Sequence, residues 1–430
     1  MIQAEAVKTD RESRGLISKL LFPPFRVRFA IALLLSFFPY AILYPLDYPA
    51  GELVTLVAWI WVFPSRIGCL SLCLLPLVPN STYGYFTFNL FCLGATVGTA
   101  VAASSCRKFC RQTVVYLYTF VRGSTFLVIL ICILQVFTNP SFWTSIFPNM
   151  SLGDGGRGAG LRSEPSLMAG PLTLYLFLLV ARLYTLRTVS KTAVIRRSIL
   201  REGVWIVLLI LVLTRSISVL VITICFLPML LAGRRSFLLP VLAAGSGLIV
   251  AVLVFGDRIR EAIQNASGSI ADLVTVAMGS WRNIPDLIIF LNFRDFLLPG
   301  DPADIRSKIN DLAVSMSPIF AWLQNTYSTF AAGASTLGLL VTGVLFVGGM
   351  VAGLKLLSGS AKIRLSWVLL FVANWFLTPK YEATGWVVLG LLPLLHHFIE
   401  SHPGDEVSSA VKSRHTRILQ RNSALHTAPI

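Results

Sequence analysis

Arg215 stands near the middle of a stretch, 203–232, that holds no other charge. A guanidinium in so apolar a run either sits at a turn that reaches water or is held there for a purpose. Its planar fork of N–H donors suits a phosphate or a carboxylate. The plainer reading is an arginine that snorkels to an interface from a tight turn. Arg122, in TVVYLYTFVRGST, is a second arginine among apolar neighbours. Eleven residues of helix separate it from Arg111, a rise of about 16 Å, which places it deep. It is a candidate substrate contact or one half of a structural pair within a helical bundle.

A third group lies in 256–329. It holds Arg258, Arg260, Arg282, Arg294, Arg306 and Lys308, mixed with Asp257, Glu261, Asp272, Asp286, Asp295, Asp301, Asp304 and Asp311. Such a mixture is ordinarily a solvated surface, but here Arg outnumbers Lys five to one, which favours bidentate recognition of anions. Trp281 beside Arg282 joins a ring for stacking on a sugar face to an oxyanion contact. Glu382, in LTPKYEATGW, is a candidate base or a helix-terminal carboxylate. All five histidines lie at 396 and beyond, so a site formed by 256–329 takes its base from a carboxylate or tyrosine, or has none.

These residues need elements to position them. The chain has 430 residues, 55% hydrophobic and 13% charged, against roughly 25% charged in soluble domains. Its apolar residues come in long blocks. That is the composition of an all-α polytopic membrane protein. Twelve spans are expected, at 27–46, 51–64, 67–79, 84–104, 113–137, 168–186, 199–214, 217–233, 236–255, 330–354, 365–379 and 384–398. Residues 1–26 form a cytoplasmic tail rather than a removed signal peptide. Residues 399–430 form a basic cytoplasmic tail beside anionic lipid. Outer loops fall at 138–167, rich in Gly, Pro and Ser, and at 256–329. The net charge of +16 then sorts by side: 25 Lys and Arg against 7 acids inside, 10 against 13 outside, with Arg122, inside a span, as the remaining charge. This is the positive-inside pattern, which argues against nucleic acid as the partner. Basic clusters flank the Arg215 run on both sides, so the run crosses twice and turns at 214–216, on the outer side.

The larger loop carries helical periodicity, and DPADIRSK reads as a helix start with Asp301 as cap and Pro302 in the first position. A small helical cap on the outer membrane face is expected there. Spans 51–64 and 67–79 are short, which suits walls of a cavity more than a simple anchor. The cysteines lie in spans or beside inner clusters, so no disulfide is expected. Cys69/Cys73 and Cys106/Cys110 lack the further ligands a metal needs. No metal and no cofactor is called for.

The order of these features resembles the bacterial O-antigen and exopolysaccharide polymerases and the related O-antigen ligases. The resemblance covers roughly 200–350 together with the overall hydropathy. It rests on TRS (214–216), with Arg215 as the family arginine; on DIRSK (304–308), with Arg306; and on LQNTYSTFAAGASTLGLLVTGVLF (323–346), similar to the family's His-Asn-x-Tyr element leading into a glycine-marked helix. Where the family often has His, this chain has Gln324, followed by Asn325 and Tyr327, which weakens the ligase reading. The resemblance implies polymerisation of polyprenyl-diphosphate-linked oligosaccharide repeats at the outer face of the bacterial inner membrane. Arg215, Arg306 and Glu382 would be catalytic. Arg258, Arg282, Arg294, Trp281, Gln324, Asn325, Tyr327 and Arg122 would bind substrate. Partners would be the lipid-linked glycan, the bilayer, a chain-length regulator and a flippase. The alternatives are ligase-type transfer, a transporter or flippase of lipid-linked sugars, a metal-dependent glycosyltransferase using Asp47 or Glu52, and a non-catalytic assembly protein.

Overall fold

The structure is a computed structural model. It describes residues 23–39, 48–73, 84–138, 140–146, 158–160, 165–186, 193–230, 284–299, 302–316, 328–357, 361–376 and 383–400. Among them there is no strand. The helices are α1 (Phe25–Phe37), α2 (Tyr48–Val62), α3 (Arg66–Ser71), α4 (Gly84–Ser104), α5 (Arg111–Phe137), α6 (Pro140–Ile146), α7 (Ala169–Thr185), α8 (Ala193–Thr214), α9 (Ile217–Leu230), α10 (Ile284–Leu291), α11 (Pro302–Met316), α12 (Thr329–Leu356), α13 (Ala361–Phe376) and α14 (Ala383–Glu400). Short 3-10 turns cover Pro165–Met168 and Phe293–Phe296.

Two helices form the centre. Fifteen of the 17 residues of α7 are buried, and so is every residue of α14 from Ala383 to Leu395. A helix that is apolar all round is stable only when surrounded. These two pack on each other; α7 is enclosed further by α1, α5, α8 and α9, and α14 by α2, α4 and α13. Thr96 on α4 closes one of these contacts by donating its hydroxyl to the Trp386 carbonyl at 2.9 Å.

The outer helices are apolar too. α5 and α12 are long and apolar enough to cross a membrane, yet only 39% and 17% of their most apolar windows are buried. Leu127, Leu130 and Phe137 on α5, and Leu340, Val344 and Val347 on α12, are exposed. The shorter apolar helices include Ala169–Thr185 and Ala383–Leu395. Most expected spans coincide at least in part with a helix. Span 67–79 differs: α3 ends at Ser71 after six residues, and a 3-10 turn occupies 72–73. Its later part, and span 236–255, lie outside the described residues.

Hydrogen bonds sort the helix ends. At one end Arg26 of α1 donates to Thr113 and Gln112 of α5, and Arg28 donates to the Trp61 carbonyl of α2. At the other ends of their helices, the buried Glu52 of α2 accepts from the first N–H of α14, at Ala383 (3.1 Å), and Thr329 opens α12 by donating to the Asn374 carbonyl of α13. Glu52 therefore caps a helix, which suits a carboxylate at the positive end of the dipole.

α10, the Phe293–Phe296 turn and α11 make a separate small core. Ile288, Ile289, Phe296, Ile305 and Ile309 close over Ala331, Ala332 and Ala334 of α12. α11 begins at Pro302, where the sequence places its first turn; Asp301 lies outside the described residues. α12 is broken at Gly338, whose φ of 79° and ψ of 159° are non-helical. The chain at 297–299 fills the break: a Cβ on Gly338 would stand 2.6 Å from the Leu298 carbonyl carbon, and Leu340 N–H donates to the Leu297 carbonyl.

Candidate functional site

α8 ends at Thr214 and α9 begins at Ile217. Both pack along α7, whose 17 residues rise only about 25 Å. An unbroken rod through both would overshoot it, so the chain turns back at Arg215–Ser216. Arg215 N–H still donates to the Leu211 carbonyl at 2.8 Å, which makes Arg215 the residue just past the helix end. Its φ is 47°, the sole positive value at a non-glycine among the described residues. Glycine usually takes this position, because a Cβ there costs about 1–2 kcal/mol. Thr214 and Ser216 are buried on either side, and Arg215 is exposed. The strained residue is thus the one that carries the charge.

A piece of the first expected outer loop, 158–160, docks beside this turn. Gly158 N–H donates to the Leu213 carbonyl at 2.9 Å. The loop is tied from below by Gln135 of α5, which accepts from Ala159 N–H at 2.8 Å and donates to the Gly160 carbonyl at 2.5 Å.

The second cluster joins the cap unit to the broken helix. Ser328 caps α12 by accepting from Ala331 N–H at 2.9 Å, and its hydroxyl donates to Asp286 Oδ1 of α10 at 2.5 Å. Asp286 is 5% exposed, and its Oδ2 has no hydrogen-bond partner among the described residues. Burial pushes its pKa up to about 7, against the opposing pull of the Ser328 hydroxyl and Ala331 N–H. For a carboxyl raised in this way, the stability it contributes is fully present below the unfolded value, near 3.8, and is lost as pH rises through about 7. The join between α10 and α12 is therefore expected to weaken progressively between about pH 4 and pH 7, by an amount on the order of a few kcal/mol, and to change little above that range. Asp286→Asn should flatten that dependence. Thermal unfolding in detergent across this range measures it, and an equally steep decline in the variant would assign the effect to another group.

Beside α12 lies a small apolar cleft, with room for about one water molecule, lined by Leu90, Leu93, Thr342, Leu345, Trp375 and Trp386 among others. Thr342 Oγ1 and Trp375 Nε1 have no partner among the described residues.

The remaining sequence candidates are placed as follows. Arg122, expected deep and buried, has a side chain 45% exposed and pairs with Glu202 of α8. Its guanidinium also lies 5.6 Å from the Phe126 ring. Glu202 stands nine residues into α8 and Arg122 eleven into α5, so equal rise per residue brings them to similar depth. Breaking such a pair strands one charge among apolar groups, whereas removing both relieves it. Arg122→Leu or Glu202→Leu alone is expected to lower membrane yield several-fold, and the double variant to recover it; a double variant worse than either single one would contradict the pairing. Arg294 is exposed, 5.9 Å from the Phe293 ring. Arg306 lies on α11, its side chain outside the described residues. Trp281, Arg258, Arg282, Gln324, Asn325, Tyr327, Glu382 and Asp47 also lie outside them. α10 and α11 pack on each other and on α12, whereas α8 and α9 pack on α5, α7 and α13. Among the described residues, then, Arg215 and Arg294 belong to separate clusters.

Gln135, Asp286–Ser328 and Glu202 are what the sequence reading missed. Each left a faint signal: one amide in ICILQVF, one carboxylate in IPDLIIFL, and one acid at the edge of a basic cluster. None of the seven cysteines forms a disulfide. Among the described residues no three His, Cys, Asp or Glu side chains gather as a metal site would require. Comparison with family models, with curated proteins and with solved structures finds no match to this chain.

Proposed function

We propose that this chain is a polytopic glycosyltransferase of the polysaccharide-polymerase type, with about twelve spans in the bacterial inner membrane and both termini cytoplasmic. The observation that carries the reading is Arg215, an exposed arginine held in a left-handed turn between two apolar helices. Backbone strain is kept where it serves a site, and an arginine at that depth suits the diphosphate of a lipid-linked sugar. The exposed apolar faces of α5 and α12 support lipid as the surrounding medium, since surfaces of this kind do not stay bare in water. The pairing of helix ends supports alternating crossings, with Arg26 and Arg28 at the inner end and Arg215 at the outer.

In this reaction the bond between the sugar's anomeric carbon and the lipid diphosphate breaks. The bonding electrons leave with the diphosphate. An acceptor sugar hydroxyl forms the new glycosidic bond and gives its proton to a carboxylate. Arg215 stabilises the departing charge, and Arg258, Arg282 and Arg306 are the further arginines that the sequence offers for it. Glu382 is the carboxylate read from the sequence, and Asp286 is the buried carboxyl added by the fold.

A transporter or flippase of lipid-linked sugars is the second reading. The break in α12 favours it, because discontinuous helices surround the substrate sites of many transporters. Reconstitution with lipid-linked repeat separates the readings. A ladder of products supports polymerase, one transfer supports ligase, and vesicle uptake without product supports transport.

A further inference from the structure

The 158–160 segment is the connection between α5 and the turn that presents Arg215. A side-chain amide in an apolar helix is costly unless both its ends are bonded. Gln135 is 1% exposed, and both ends are used on consecutive residues: Oε1 accepts from Ala159 and Nε2 donates to Gly160. Cys132 lies one turn earlier on the same face of α5. Gly158 sits against it so closely that a Cβ would stand 2.6 Å from the Cys132 Cβ. Gly160 takes φ 60°, which turns the chain after the amide. The segment is therefore fixed in register on α5.

Its outward-facing donor is Gly158 N–H, and the acceptor is the Leu213 carbonyl. That carbonyl belongs to the last turn of α8, where backbone acceptors lack partners within the helix. Two residues back, the Leu211 carbonyl holds Arg215 N–H. A chain of contacts thus runs from the α5 amide through the glycine segment to the end of α8, two residues before the strained arginine.

We propose that Gln135 is a positioning residue for Arg215: its amide holds 158–160 against the last turn of α8 and so keeps Arg215 in its left-handed conformation. The role in catalysis rests on the function proposed above; the clamp itself does not. Without the amide, the Leu213 carbonyl loses its donor, the end of α8 frays, and Arg215 relaxes toward the ordinary helical region. The guanidinium then swings away from its place. Displacement of a reacting or charge-stabilising group by about 1 Å can cost about 100-fold in rate.

The test reads the turn directly. A nitroxide is attached at Arg215→Cys, with the exposed Cys69 and Cys73 replaced by serine, and its spectrum is compared in the Gln135, Gln135→Leu and Gln135→Glu backgrounds. Leucine removes both bonds in a similar volume. Glutamate keeps the acceptor for Ala159 and loses the donor to Gly160. The expected result is a mobile component that is largest for leucine and intermediate for glutamate. In protein that retains Arg215, Gln135→Leu should lower kcat/KM for lipid-linked repeat by about 100-fold, with the thermal midpoint changed far less than the rate. An immobile label in the leucine background overturns the clamp. A mobile label with an unchanged rate overturns the positioning role. A mobile label in a protein whose parent makes no product leaves the clamp standing and overturns the functional reading with its positioning role.

Discussion

Arg215→Ala is expected to lower polymer formation by about 100- to 1000-fold, the usual loss when one charge-stabilising donor is removed from a site, while the protein remains folded in the membrane. Alanine keeps a Cβ at φ 47°, so the backbone cost is shared by both proteins and the guanidinium alone is tested. Arg215→Lys should recover only part of the activity, since an ammonium lacks the planar fork. Arg215→Gly separates function from stability. Glycine relieves about 1–2 kcal/mol of left-handed strain, so this variant should melt higher than the parent and still be inactive. That combination is what a strained functional residue predicts. Polymer length and yield in cells, with membrane level and melting temperature alongside, give the readout. Normal polymer from the alanine variant would reduce Arg215 to a turn residue.

The second large effect falls on stability. Gly338→Ala is expected to destabilise the fold by about 3 kcal/mol or more. The φ and ψ of 79° and 159° lie in a region that is essentially glycine's, at a cost of about 1–3 kcal/mol for other residues. Steric conflict adds to this, because the new methyl would approach the Leu298 carbonyl carbon, the Pro299 nitrogen and the Leu297 oxygen at 2.6–2.8 Å. Those atoms are backbone and cannot swing aside. Relief requires moving 297–299, which also disturbs the Leu340–Leu297 hydrogen bond. The α10–α11 unit should then loosen and become more open to protease at Arg294 and Lys308. Gly343→Ala is the matched control: nothing lies within 4 Å of a Cβ there, and alanine in a helix costs nothing relative to glycine. Equal melting temperatures for the two variants would contradict the role of the break.

These contrasts show what the sequence reveals. Long apolar runs determine helices directly, so α4, α5, α7 and α9 were legible to within a few residues, and α8 apart from its first six. The Arg215 turn was legible because basic clusters on both flanks require a reversal between them. Pro302 announced α11. The break at Gly338 was not legible, since α12 also carries Gly333, Gly343, Gly348, Gly349 and Gly353, and only the approach of 297–299 distinguishes one of them. Asp286 was one of eight carboxylates in its loop until the Ser328 hydroxyl singled it out. Arg122 looked solitary because its partner, Glu202, lies 80 residues away beside Arg201. Pairings over such separations depend on packing, and no local pattern records them.

Sidedness tests the central claim most directly, because every role given to Arg215 and to the α10–α11 unit requires the outer face. Cysteines introduced one at a time at Arg215→Cys, Val314→Cys and Ile195→Cys, in protein with Cys69, Cys73, Cys106 and Cys110 replaced by serine, are exposed to a membrane-impermeant maleimide on intact spheroplasts. Labelling at 215 and 314, with 195 reacting only after the membrane is opened, is the predicted result. Labelling of 195 in intact spheroplasts while 215 and 314 stay protected would contradict it.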